Sequence, residues 1–168
     1  MKKSFLNLII CIMISLILSA CSGADEKASE DFSCTVSISC HTLLQNKELT
    51  EEEKIGLIPQ DGVILEETEV YFSEGESVFD ILLDVCKENK IHMEYSDVPL
   101  YNSAYIEGIN NIYEFDAGSL SGWMYSVNNY FPNYGCSQYL PEDGDEIRWI
   151  YTCDMGDDIG GGNHYTEQ

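Results

Sequence analysis

The sequence predicts a small α+β domain, and three observations carry that prediction. One segment is a clear amphipathic helix, several short segments alternate apolar and polar residues with period two, and turn residues stand between them.

In chain order, the first twenty residues, MKKSFLNLIICIMISLILSA, join two lysines to an uncharged apolar run and end in small residues before Cys21. That is how an export signal is built. The run is short for a membrane-spanning helix, which needs about 20 apolar residues. Residues 21–31 are small, polar and acidic, with nothing to bury, and read as a tether. Residues 32–156 have the size of one domain, roughly 120 residues.

Within it, Cys34, Val36, Ile38 and Cys40 alternate with Thr35, Ser37 and Ser39 as a half-buried strand. Thr50 to Lys54 starts a short helix, and Val63 to Phe72 is a strand entered through Asp61 and Gly62. The helix is SVFDILLDVCKEN, residues 77–89. Ser77 is the N-cap with Asp80 three residues on, and Val78, Ile81, Leu82, Val85 and Cys86 share one face that must pack on a sheet. Ile91, Met93 and Tyr95 alternate with His92 and Glu94 as the strand leaving it. Ala104 to Ile109 and Ile112 to Phe115 flank Asn110 and Asn111, a tight hairpin turn. Trp123, Tyr125 and Val127 alternate in one further strand, and Ile147, Trp149 and Tyr151 in the last, with the turn PEDGD before it. Residues 157–168 read as a flexible tail.

The chain carries 30 acidic and 8 basic side chains, a formal net charge of −22. Phosphate backbones need Lys and Arg, so nucleic acid is excluded as a partner, as is lying flat on anionic lipid. Seven cysteines are present; Cys11 falls in the signal and Cys21 at its end, leaving Cys34, Cys40, Cys86, Cys136 and Cys153. Outside the cytoplasm thiols pair. Cys34 and Cys40 cannot pair while their strand is extended, being about 20 Å apart. Connectivity is open among many pairings, with Cys136 to Cys153, flanking the last turn and strand, as the best single candidate.

Catalysis finds little support. His41, His92 and His164 all read as solvated, and no HExxH motif, phosphate loop or GxSxG elbow exists. No enzyme activity, required cofactor or zinc site is expected. Asp154, Asp157 and Asp158 form a calcium candidate, although their spacing does not match an EF-hand loop. The remaining concentration of chemistry is SGWMYSVNNYFPNYG, residues 121–135. Its strand half builds the core. Its loop half, with Tyr130, Phe131 and Tyr134 among asparagines and Pro132, holds more rings than a turn can bury, and suits a flat, amide-fringed ligand, a sugar or an extended peptide.

Two resemblances add to this reading. Leu18, Ser19, Ala20 and Cys21 resemble the lipobox of bacterial lipoproteins, which implies lipidation of Cys21, cleavage before it, and a protein anchored at the outer face of the bacterial cell membrane. EGESVFDILL at 74–83, SGWMYSVNN at 121–129 and YLPEDGDEIRWIY at 139–151, in that order, resemble the C-terminal domain family of transcobalamin and intrinsic factor over residues 32–156. The resemblance implies a β-grasp-like fold, one helix over a small mixed sheet, and cobalamin or another corrinoid as ligand. It carries the binding role onto Trp123, Tyr125, Asn128, Tyr130 and Tyr134; Phe131 joins them from the reading of the loop. The vitamin carriers close a helical barrel over the corrin, so a transporter or helical partner subunit is the expected completion. The alternative is a surface interaction module for protein or glycan without a small-molecule ligand.

Overall fold

The computed structural model describes residues 32–99 and 103–162, so the signal segment, the tether, the lipidation candidate Cys21 and His164 lie outside the described residues. Among the described residues seven strands form two sheets. β1 (Phe32–Ser39), β2 (Val63–Phe72), β6 (Gly122–Val127) and β7 (Glu146–Thr152) make a four-stranded sheet in the order β2-β1-β7-β6. β1 runs parallel to β7, and the two outer pairings are antiparallel. β3 (Met93–Val98), β4 (Ser103–Ile109) and β5 (Ile112–Tyr113) make a three-stranded antiparallel sheet. The expected α+β class, one main helix on a mixed sheet with hairpins, is the observed one.

The main helix, α3 (Val78–Asn89), follows two one-turn helices, α1 (Thr42–Gln45) and α2 (Glu52–Ile55). It buries the five predicted residues, Val78, Ile81, Leu82, Val85 and Cys86, against the inner face of the large sheet, where Cys34, Val36, Ile38, Trp123, Tyr125, Val127, Ile147, Trp149 and Tyr151 meet them. Its start is a full capping box: Asp80 N–H donates to Ser77 Oγ at 3.3 Å and Ser77 N–H to Asp80 Oδ2 at 2.9 Å. Two otherwise orphaned donors are thereby satisfied. Asp80→Ala is expected to cost about 1 kcal/mol of stability in urea unfolding, with little change in far-UV circular dichroism.

Asn110 and Asn111 take φ of 54° and 61°, the left-handed pair that a two-residue hairpin turn needs. Asn128 and Asn129 do the same at 51° and 64°, and Val127 and Tyr130 exchange backbone hydrogen bonds of 2.8 and 2.9 Å. The start of the aromatic loop is therefore a second tight hairpin. Further stabilisation comes from Lys54 of α2, whose Nζ lies 3.2 Å from Asp116 Oδ2 and 4.6 Å from the centroid of the Tyr113 ring.

Three expectations are corrected. The five domain cysteines are all buried free thiols, and the Cys136–Cys153 disulfide does not form. Nearness to the same strand in sequence does not bring them together: Cys136 sits against the Ala104 carbonyl on β4, whereas Cys153 lies beside Thr42 and Asn46 at the end of β7. The tail is not loose from residue 157, because a 3-10 turn at Asp157–Ile159 returns the chain so that Asp158 Oδ2 accepts from Cys153 N–H at 2.8 Å and Gly161 is buried. Asp158 also accepts from Thr152 Oγ1, so it braces the end of β7, and the calcium candidate of Asp154, Asp157 and Asp158 is not assembled. Among the described residues no three His, Cys, Asp or Glu side chains are grouped to hold a metal.

Candidate functional site

β5 is only two residues long and pairs with the end of β4, so the first part of β4 has no second strand beside it. There a cavity of about 480 Å³ opens between β4 and the edge strand β6 under the loop 132–138. Its walls come from Ala104, Tyr105 and Ile106 of β4, from Trp123, Met124 and Tyr125 of β6, and from Trp149 of β7. The loop contributes Pro132, Asn133, Tyr134, Gly135, Cys136 and Gln138.

The loop is tied down on both sides. Ala104 N–H donates to Ser137 Oγ at 2.9 Å, and Val78 N–H, at the start of α3, donates to the Tyr139 carbonyl at 2.9 Å. Gly135 is required for the close approach: a Cβ there would stand 1.6 Å from Ser103 Oγ. A run of rings then leads from the core outward. Trp149 lies 5.5 Å from Tyr125, Tyr125 meets Tyr139 edge-on at 6.2 Å, and Tyr139 stacks on Tyr134 at 5.8 Å and 12°. Tyr125 Oη donates to the Tyr134 carbonyl at 2.8 Å, which holds the loop against the strand.

Among the described residues no acidic or basic side chain lines this cavity, in a chain whose net charge is −22. Burial, followed by the neighbouring Cys136 and phenols, raises the Tyr125 hydroxyl, and burial pushes the Cys136 thiol up to about 11. Burial and the hydrogen bond to Glu114 raise the Tyr105 phenol.

The six residues expected to bind ligand divide into two groups. Trp123, Tyr125 and Tyr134 line the cavity; Asn128, Tyr130 and Phe131 do not. Asn128 belongs to its turn, with Nδ2 donating to Asp145 Oδ1 at 2.7 Å and Oδ1 accepting from Glu146 N–H at 2.9 Å. Phe131 is 7% exposed, packed on the backbone of Gly161 beneath the returning tail, whereas Tyr130 is 51% and Tyr134 46% exposed. The loop thus buries one of its three rings. Trp123 is held as core as well as wall: its Nε1–H donates to the Ile112 carbonyl at 2.9 Å, and its ring meets Tyr151 edge-on at 5.3 Å. The β4 wall and Trp149 were not expected at the site. Trp149 was visible as an alternating strand residue, but no local signal places β4 opposite it.

With this geometry in place, comparison with known proteins gives a fold and a partial family match. The family model described as a domain of unknown function (DUF4430) matches residues 75–152. No curated protein matches the sequence. Among solved structures, haptocorrin in complex with Cbi is similar at a TM-score of 0.54 and 12% identity, over 76% of this chain and 26% of that one. This chain therefore spans about a quarter of haptocorrin's length, and the likeness establishes a shared fold. A protein of Ruminococcus gnavus ATCC 29149 described as a candidate metal-binding protein is more distant, at a TM-score of 0.42 and 16% identity over 72% of this chain and 96% of that one.

Proposed function

We propose that this domain is a non-enzymatic binding module that takes the edge of a flat, uncharged, amide-bearing ligand, a corrinoid first of all, in the cavity between β4 and β6. The observation that carries the reading is an aromatic, charge-free wall of Trp123, Tyr125 and Tyr134 within an otherwise strongly acidic chain. A volume of about 480 Å³ is in the range of small-molecule pockets. It is too small to enclose a whole corrinoid, so this domain supplies one surface, and a helical subunit or transporter supplies the other. Further support comes from the fold shared with haptocorrin, a protein solved with Cbi bound. Export by residues 1–20 and lipidation at Cys21 place the module at the outer membrane face in this proposal; Cys21→Ser is then expected to release it from the membrane fraction into the soluble one.

Calorimetry with cyanocobalamin and aquocobalamin tests the ligand. Micromolar or tighter binding is expected, and Tyr134→Ala should weaken it about tenfold by removing an exposed stacking face. The absence of heat with either corrinoid would sink the corrinoid reading. The second reading, a glycan contact, is favoured by the half-exposed Tyr130 and Tyr134 on one loop, and binding on a glycan array that Tyr130→Ala abolishes would select it.

A further inference from the structure

β2 and β6 are the two edge strands of the four-stranded sheet, and they are built differently. β2 carries Glu66, Glu67 and Glu69, charges of the kind that keep a further strand from pairing, whereas β6, GWMYSV, has neither a charge nor a proline. The ladder with β7 fixes which main-chain groups of β6 face outward. Val127 exchanges both of its main-chain hydrogen bonds with Tyr130, and Asn128 N–H donates to the Glu146 carbonyl, so Val127 stands at a position not hydrogen-bonded to β7. Trp123 and Tyr125 share that position two and four residues back, with their N–H and C=O groups directed away from β7. Among the described residues no main-chain partner takes these groups. The cavity runs along this edge. Successive side chains of a strand point to opposite faces, Trp123 and Tyr125 into the core and Met124 toward Gly156, so a cavity that all three line meets β6 edge-on. Ser103, Ala104, Tyr105 and Ile106 of β4 line the other side in the same way, but there Ala104 N–H donates to Ser137 Oγ and its carbonyl accepts from Cys136 Sγ.

We infer that the outer edge of β6 is a strand-addition site, on which an extended, basic-flanked segment of a partner protein lies along Trp123 to Tyr125 and exchanges main-chain hydrogen bonds with both. The inference goes beyond the corrinoid reading: segment and corrinoid would use one slot and exclude each other. A polypeptide backbone is the matching ligand because it repeats a donor and an acceptor at the strand's own spacing, about 7 Å between alternate residues. The slot between two strands, roofed by the loop 132–138, admits a single extended chain rather than the edge of a folded domain. Charge selects the occupant. A second copy of this chain would bring a net charge of −22 against −22, whereas Lys or Arg flanking the segment would meet an acidic surface that attracts them. Residues inside the slot must be uncharged, since no charged side chain stands among its described lining residues to repay lost hydration. The half-exposed Tyr134 ring offers one of them an aromatic face.

Residue-resolved amide hydrogen exchange in the full chain tests this. The probe is acetyl-Lys-Val-Thr-Val-Lys-amide, set beside the same peptide with Glu for each Lys and the same peptide N-methylated at its three central residues. At saturation the Lys-flanked peptide is expected to slow exchange of the Trp123 and Tyr125 amide protons about tenfold. The Met124 amide, already in the ladder with β7, is the internal control and should not change. The Glu-flanked peptide should bind about tenfold more weakly at low salt, and the N-methylated one, which has lost its central donors, should give no protection. No binding by the Lys-flanked peptide, unchanged exchange at Trp123 and Tyr125, equal protection by the N-methylated peptide, or equal affinity of the Glu-flanked one overturns the inference. Cyanocobalamin binding in a protein that fails these peptide tests leaves the corrinoid reading standing alone. Peptide protection without any corrinoid binding upholds strand addition and overturns the corrinoid reading, and peptide displaced by cyanocobalamin upholds both.

Discussion

Between pH 9 and pH 12 this domain is expected to unfold in one cooperative step, with its thiols becoming reactive in the same transition. Burial holds the thiols of Cys40 and Cys86 up to about 12, and those of Cys34 and Cys136 up to about 11, above an ordinary value of 9.0. Cys153 is raised in the same direction. In the unfolded chain these groups give up their protons first, so above pH 9 the native state binds more protons than the unfolded one. Stability then falls as pH rises. The contribution is fully present below pH 9 and is lost as pH climbs through 11 to 12. The Tyr125 and Tyr151 phenols, raised chiefly by burial, add the same sign at the upper end. Because domains are only marginally stable, several such groups acting together exceed the available margin. Circular dichroism followed against pH, with iodoacetamide labelling counted by mass spectrometry, measures both events. Labelling of the five domain cysteines at pH 7.5 in a protein with a native spectrum would contradict the burial on which the prediction stands.

Trp123→Ala is expected to cost about 3–5 kcal/mol, a large part of the stability of a domain this size. The change removes a ring that is 9% exposed, loses the edge-on contact with Tyr151, and leaves the Ile112 carbonyl without its donor. Trp123→Phe restores most of the volume and should cost far less, about 1–3 kcal/mol for the hydrogen bond left unmade. Urea midpoints separate the two. For the same reason, loss of ligand binding in Trp123→Ala would report unfolding as much as recognition. Tyr134→Ala is the cleaner variant: its ring is half exposed, and the main-chain carbonyl that accepts from Tyr125 Oη survives the change.

Much of the fold was legible because its determinants are local. The helix from Ser77 onward carries its capping box, its apolar face and its end within thirteen residues, and the structure reproduces all three. β1 and β7 announced themselves by alternation, and Asn110-Asn111 by its turn chemistry. The candidate site was legible by half. Trp123, Tyr125 and Tyr134 were identifiable as a concentration of rings, but residue type alone did not distinguish Phe131, which faces the returning tail, from Tyr134, which faces the cavity. Asn128 looked like an exposed amide because its partners, Asp145 and Glu146, lie on a distant part of the chain.

The sequence by itself therefore determined the α+β class, the strand and helix faces, the acidic surface and the aromatic character of the last third of the chain, since each depends on periodicity or composition within a short window. Only the tertiary structure decided that β5 stops short, that a cavity opens between β4 and β6 with no charged side chain among its described lining residues, and that the cysteines stay apart. Those properties depend on which surfaces meet across residues far apart in the chain, and local propensity carries no information about such meetings.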